Sequence, residues 1–421
     1  MITETNKKDQ IQSEALKALT NNNGGLVVLD MGSGKSKVAI DFLKSHSDIK
    51  TVLITSPRDN LKKNWKEELE KWKIYQWDQN EYDIQAGRRI AIDIENIQTC
   101  YKWEKQYYDL VILDEVHTIA TPEYGKLLEN NNFKYLVALT GTPEFDKSEK
   151  KDFYDKYCPL VYEYYDSADD NLINKTRVLV YKYTLNNDYK VKAGNKKKRF
   201  YQGEHDFYNY LSEKILKGQK LMAQTGSEDW WNDAKEWFWE NNAETPEQKR
   251  AAMTYLQGIM QRKNFLLKLK SSQVYARAIA DEILKNKDNK VLIFSELTEQ
   301  INKITQFSYH SRNKDDDNKL NMKRFNAGVI RELGSSKSLT LGLNLKGANY
   351  AIFESYTGSK TGASQKKGRL HRLDVDDIAT LIILKPTGTQ YDKWFDKIIK
   401  GLNTDNISYY NDLEELIKDI Q

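Results

Sequence analysis

Short β-branched apolar runs recur along the chain, each ending in polar residues and giving way to a helical pattern. Between Leu26 and Leu139 they read LVVLD, TVLITS, RIAIDI, DLVILDE and YLVALTGTP. Runs that are apolar throughout belong to strands covered on both faces, and strands separated by helices are joined by crossovers. The pattern therefore implies an α/β fold with a parallel sheet between helical layers, which binds its ligands beyond the carboxyl ends of the strands. A second series, KVLIFSE, VIRELGSS, ANYAIFES and ATLIILK, begins near Lys290 and implies a second domain of the same kind.

The length of 421 residues is enough for two or three domains with their own cores. We divide it into 1–159, 160–272 and 273–421, the middle segment reading as a helical insertion rich in aromatics and lysines. The asparagine triplets at 21–23 and 130–132 and the run KDDDNK at 314–319 read as solvated loops.

Only two cysteines, Cys100 and Cys158, are present, far apart and without metal-ligand spacing, so neither a disulfide framework nor a zinc site is expected. The start MITETNKKDQIQ lacks the layout of a secretion signal, and no apolar run approaches bilayer-spanning length. These features point to a soluble cytoplasmic protein with no membrane partner, and the Asn/Lys-rich composition is compatible with an AT-rich phage or bacterial genome and hence with a bacterial or phage-infected cell. The net charge of +4 is too small to generate a histone-like field, so any polyanion must be met by local patches.

In LDMGSGKS, the glycines free backbone N–H groups to curl around a phosphate, Lys35 neutralises its oxygens, and Ser36 offers a hydroxyl to magnesium. Leu29 stands where the usual pattern has its first glycine, and the plainer reading is a glycine-rich turn joining strand to helix. Asp114 and Glu115 close the run YDLVILDEVH: the first suits magnesium and its waters, the second the polarisation of an attacking water. Next to a glycine loop, two acids at a strand end are more than a solvated loop start. In SQKKGRLHRLD, Arg369 and Arg372 lie one helical turn apart; such a run is commonly a solvated face, but an arginine facing a triphosphate stabilises the charge of the transition state.

Eight stretches in order, IQSEA, MGSGKS, ITSPRDNLKKNWKEELEKW, LDEVH, LTGTP, KVLIFSE, SSKSLTLGLNL and QKKGRLHR, make the chain resemble a superfamily 2 helicase or translocase. NWKEELEKW and GLNLKGANYAIF are most similar to the Swi/Snf-like branch, and the compact size resembles phage helicases acting on branched DNA. The resemblance implies two tandem RecA-like domains, ATP and Mg2+ as cofactors, and movement along DNA, double-stranded or branched, with replication or recombination proteins as possible partners. An RNA helicase with the same motor, or an ATP-gated nucleic-acid-binding protein without net movement, are the rival readings.

By the same resemblance, Gln12 reads the adenine, and Met31, Gly32, Ser33, Gly34, Lys35 and Ser36 hold the phosphates, with Gly342 and Gln365 contributing to the nucleotide site. Ser36 and Asp114 hold the metal, and Lys35, Asp114, Glu115, Arg369 and Arg372 carry catalysis. His117, Thr140 and Thr142 couple hydrolysis to movement, and Ser56, Arg58, Ser295 and Ser336 contact nucleic-acid phosphates, which positions a strand without reading it. In DWWNDAKEWFWENN the spacing of Trp230, Ala234 and Trp237 on one face, and of Trp231 with Phe238 on another, suggests a helix buried inside the middle segment; the alternative is a base-stacking pin. The run NKKKRF at 195–200 reads as a solvated loop or a phosphate patch.

Overall fold

A computed structural model describes residues 4–421 except 31, 58, 85–86, 166–174, 195–198, 337–344, 346, 359–377 and 403–405. Met31, Arg58, Gly342, Gln365, Arg369 and Arg372, and most of the NKKKRF run, therefore lie outside the described residues. The chain folds as two compact units, one centred on residues 1–177 and the other on most of 178–421.

The elements of the first unit are α1 (Glu4–Asn21), β1 (Gly24–Leu29), α2 (Lys35–Ser45), β2 (Thr51–Ser56), α3 (Asp59–Lys71), β3 (Tyr75–Asp78), β4 (Glu81–Asp83) and β5 (Arg89–Asn96). They continue with α4 (Ile97–Cys100), β6 (Tyr107–Asp114), α5 (Val116–Ile119), α6 (Pro122–Asn130), β7 (Asn132–Thr140), α7 (Ser148–Tyr157) and β8 (Leu160–Tyr164). The eight strands run in the order β3-β4-β5-β2-β6-β7-β1-β8. Pairing is parallel from β5 to β8, and only β3 and β4 join antiparallel at one edge. All five runs read from the sequence are strands of this sheet. Their side chains alternate between two cores: Val27, Leu29, Val52, Ile54 and Ile112 face one, Leu26, Val28, Leu53, Val111 and Leu113 the other. Both faces are covered, as unbroken apolar runs require.

The second unit comprises β9 (Lys175–Thr184), β10 (Lys190–Gly194), β11 (Arg199–Gly203), α8 (Glu204–Gln224), α9 (Trp230–Phe238), α10 (Pro246–Leu266), α11 (Lys270–Ile283), β12 (Val291–Phe294), α12 (Thr298–Ile304) and β13 (Ser308–Tyr309). Then follow α13 (Asp315–Asn326), β14 (Glu332–Ser335), β15 (Tyr350–Phe353), β16 (Ile378–Thr387), α14 (Gln390–Leu402), β17 (Ile407–Tyr410) and α15 (Leu413–Ile420). Its seven-stranded sheet has the order β13-β14-β12-β15-β16-β9-β17. The four runs of the second series are β12, β14, β15 and β16.

The segment expected to be helical from Leu160 begins otherwise. Leu160–Tyr164 is the edge strand β8 of the first sheet, Lys175–Thr184 is a strand of the second, and Lys190–Gly203 forms the β10–β11 hairpin. In TRVLVYKYT, β-branched and aromatic residues favour an extended chain, and the pairing of β9 with β17 secures it. Helices start only at Glu204, where α8 and α10 pack so closely that a Cβ on Gly218 would lie 2.6 Å from Tyr255 Cα.

Two further expectations are corrected. Asp315, Asp316 and Asp317 are not loop but the first turn of α13, where carboxylates complement the positive end of the helix. Helix α9 is not buried throughout: Ala234 is, Trp237 and Phe238 are partly so, whereas Trp230, Trp231 and Trp239 stand exposed. The small α8–α10 core has room for one face of a nine-residue helix and no more. No helix among the described residues is long and apolar enough to cross a membrane.

Candidate nucleotide site

Three neighbouring strands of the first sheet end together. Asp114 on β6 is in register with Leu139 of β7, and Thr140 of β7 with Val28 of β1. The glycine loop after β1, the acids after β6 and Thr140 are thereby brought to one sheet edge.

Gly32 and Gly34 adopt φ of 89° and 91°, conformations that side-chain-bearing residues resist. A Cβ on Gly34 would also meet Gln12 Nε2 at 2.3 Å. Helix α2 starts at Lys35, so its first-turn N–H groups face the loop. The loop is tied to its surroundings: Gln12 Nε2 donates to Ser33 O at 2.8 Å, Lys8 Nζ to Gly32 O at 2.8 Å, and Lys35 Nζ to Leu29 O at 3.1 Å. Gln12 is buried and its Oε1 accepts no hydrogen bond, an orphaned acceptor beside the loop. An adenine amino group is the kind of donor such an atom lacks.

Both oxygens of Asp114 are engaged. Oδ2 accepts from Trp65 Nε1 at 2.9 Å, and Oδ1 from the Glu115 backbone N–H at 2.9 Å. Burial, and then the neighbouring Glu115, push the Asp114 carboxyl up to about 7, while Trp65 and Lys35 pull the other way. Glu115 itself takes a left-handed conformation, φ 49°, unusual outside glycine and asparagine. Its Oε2 is buried without a hydrogen bond, 3.4 Å from His117 Nδ1. A carboxylate oxygen with an unused lone pair in this place is fit to accept a proton from water.

His117 Nδ1 lies 2.8 Å from Thr140 Oγ1, which also accepts from Thr142 N at 3.1 Å. Burial lowers the affinity of His117 for a proton, so the ring is neutral near pH 7. Lys150 donates to the His117 carbonyl oxygen and to the Glu144 carboxylate, fastening α5 to the segment after β7. The residues expected to couple hydrolysis to movement thus form one hydrogen-bonded chain from α5 to the end of β7.

Hydrated magnesium takes one or two protein oxygens and keeps its remaining positions for water and phosphate. Asp114 and the Ser36 hydroxyl at the start of α2 fit that demand, since each Asp114 oxygen retains a lone pair beyond the bond it accepts.

Of the positions expected at nucleic acid, Ser56, Ser295 and Ser336 are buried. Ser295 N donates to Ser335 O at 3.0 Å, so the ends of β12 and β14 bring Ser295 and Ser336 near each other. The Ser295 hydroxyl is occupied by Ser355 Oγ at 2.9 Å and by Leu297 N at 3.3 Å. Sequence reasoning missed Trp65, Lys8 and Lys150. Trp65 stood within a quoted motif, but its partner is 49 residues away; Lys8 and Lys150 carry no local signal.

Residues 5–145 match the model of the type III restriction enzyme res subunit, and residues 275–374 that of the helicase conserved C-terminal domain, together more than half of the chain. The chain is similar to a protein of Sulfurisphaera tokodaii named DNA 3'-5' translocase XPB2, with 25% identity over 386 residues, covering 90% of this chain and 81% of that protein. Among solved structures it resembles the Hef helicase domain of Pyrococcus furiosus, with TM-score 0.52, 14% identity, and 92% and 96% of the two chains covered. It also resembles Dbp5 of S. cerevisiae bound to RNA and ADP BeF3, with TM-score 0.56, 11% identity, and 98% and 92% covered. At these identities the two structures show a shared fold of tandem RecA-like domains.

Proposed function

The chain belongs to superfamily 2 of the helicases and translocases, enzymes that hydrolyse ATP, and from that premise we propose that it uses ATP hydrolysis to move along DNA, double-stranded or branched. The observation that carries the catalytic half is Glu115 Oε2, buried, unbonded and next to His117 at the edge where the glycine loop ends. Glu115 accepts the proton of the attacking water. Lys35 leaves its contacts with Leu29 and Asp30 to bind phosphate oxygens, and Gln12 turns its free acceptor to the adenine. Asp114 and Ser36 would hold magnesium, which would supply positive charge against the phosphates. Arg369 and Arg372 supply further positive charge to the γ-phosphate, an effect worth roughly 10³–10⁵ in rate where such arginines act.

The DNA reading rests on the similarity to a DNA translocase. Ser56, Arg58, Ser295 and Ser336 are the positions proposed to meet the DNA phosphates; Ser56, Ser295 and Ser336 are buried, and the Ser295 hydroxyl would have to leave Ser355 to do so. Branched or forked DNA is the substrate proposed, with the lysine-rich run at 195–200 as its phosphate patch, and the work belongs with replication or recombination proteins in the cytoplasm.

The test measures ATPase rates with duplex, single-stranded and forked DNA and with RNA at matched length, together with displacement of a triplex-forming strand. DNA-stimulated hydrolysis with strand displacement is expected, strongest on forks. Stimulation by RNA alone, or DNA binding without displacement, would overturn the proposal.

A further inference from the structure

Helix α9 keeps three indoles outside the fold: Trp230, Trp231 and Trp239 are 39%, 44% and 54% exposed. The helix is held by its other side, where Ala234, Trp237 and Phe238 pack against the α8–α10 pair. Its outer aromatics therefore add nothing to that packing. Single exposed apolar residues are ordinary, but three tryptophans on and beside one short helix are a patch.

The patch has an order. Trp231, Lys235 and Trp239 succeed one another at intervals of four along one flank. The rings of Trp231 and Trp239 meet edge to face at 6.4 Å, and Lys235 Nζ stands 5.6 Å from the Trp231 ring centre. The indole surface is thus already holding one cation from its own chain.

The surrounding charge decides which partner fits. From 228 to 240 there are five acids and one lysine, in a chain whose net charge is +4. Asp229 and Asp233 are committed to the start of the helix, accepting from Asn232, Ser227 and nearby backbone N–H groups. Glu228, Glu236 and Glu240 are exposed, and their carboxylates accept no hydrogen bond and form no ion pair among the described residues. A base stacked on these indoles would bring its phosphate against three unneutralised carboxylates, so nucleic acid is the wrong occupant. Guanidinium and ammonium groups fit both features at once: they lie over indole faces and pair with carboxylates.

We propose that the outer face of α9 docks a basic, arginine- and lysine-rich segment of a protein partner. The surface is distinct from the nucleotide site, so partner binding and hydrolysis are separable by mutation.

The test uses fluorescein-labelled nona-arginine and a labelled DNA fork, each titrated into the full chain at two salt concentrations. Wild type is expected to bind the peptide with salt-sensitive affinity. W231A/W239A and, separately, E236Q/E240Q should each weaken that binding at least 10-fold, with fork affinity not reduced and ATPase rate and melting temperature unchanged. Peptide binding that is absent, or equal in wild type and variants, overturns the proposal. So does a fork affinity that falls with W231A/W239A, which would make the patch a nucleic-acid surface. Sedimentation that reveals a dimer lost in the same variants would overturn it in favour of a second copy of this chain.

Discussion

Replacing Asp114 by asparagine should stabilise the nucleotide-free protein at pH 8 and cease to do so at pH 5. The buried carboxyl, 9% exposed, titrates at about 7 against 3.8 for a solvated aspartate. Three pKa units correspond to about 4 kcal/mol of destabilisation once the group is ionised in the folded chain. The folded state holds this proton more tightly than the unfolded state does, so stability falls as pH rises from about 4 to about 7 and is level above. Asparagine does not titrate, but it accepts from only one of the two donors, Trp65 Nε1 and Glu115 N–H, and sets its own N–H against the other. An unmade bond of this kind costs about 1–3 kcal/mol. The variant should gain about 2 kcal/mol at pH 8, or roughly 4–8 °C in the transition of a unit this size. Between pH 8 and pH 5 the wild type recovers about 3 kcal/mol, and the gain vanishes or reverses. His117 is present in both proteins, so its titration cancels. Scanning calorimetry in EDTA, with the transition containing β6 identified by hydrogen exchange, measures the difference. A variant less stable at pH 8, or a difference that does not change with pH, refutes the reasoning.

Trp65→Phe keeps most of the packing and removes one donor to a charged acceptor, worth about 1.5–3 kcal/mol. It should lower ATPase activity roughly 10–100-fold while leaving magnesium-free nucleotide affinity unchanged; unaltered turnover across a magnesium titration would mean that Trp65 only packs. Glu115→Gln should bind ATP normally but hydrolyse it at least about 10²-fold more slowly, since an amide accepts no proton from water; equilibrium binding paired with single-turnover rates checks both, and a wild-type rate removes the base role from Glu115.

The strands most legible in the sequence were those buried on both faces. LVVL, TVLIT and LVILD are apolar throughout because helices cover both sides, and such runs stand out from any loop. The short edge strands β3 and β4, and β8 at the other edge, were illegible: Tyr75–Asp78 is exposed at every position, and LVYEY carries only half a strand's burial. These segments become strands because a neighbour offers unpaired backbone, a fact held by the neighbour. Helix α9 shows the reverse failure. Its 3.6-residue pattern is real, but the pattern predicts which face is apolar and not how much of that face the rest of the fold can cover. At the nucleotide site, local motifs were enough to single out residues that the structure brings to one sheet edge. The hydrogen bonds that hold them, Trp65 to Asp114 and Lys150 to His117, join positions far apart in the chain and emerge only on folding.

The resting site divides into parts that are satisfied and parts that are not, and the division follows the chemistry. The glycine loop is satisfied: Lys35 rests on the carbonyl oxygens of Leu29 and Asp30, and the Gln12 and Lys8 side chains take up loop carbonyls. A triphosphate would replace neutral carbonyls by charged oxygens, which attract an ammonium more strongly, so the exchange favours nucleotide without the loop having to be unstable beforehand. The carboxylates are not satisfied: Asp114 can lose its proton only against burial and a like charge, and Glu115 is left-handed with one oxygen unbonded. A dication held there would relieve the first, and a water molecule ordered against phosphate the second. Both acids would therefore be relieved at once only with metal, nucleotide and water together. The His117–Thr140–Thr142 chain begins beside that unbonded oxygen of Glu115, which is where the coupling proposed for these residues would start.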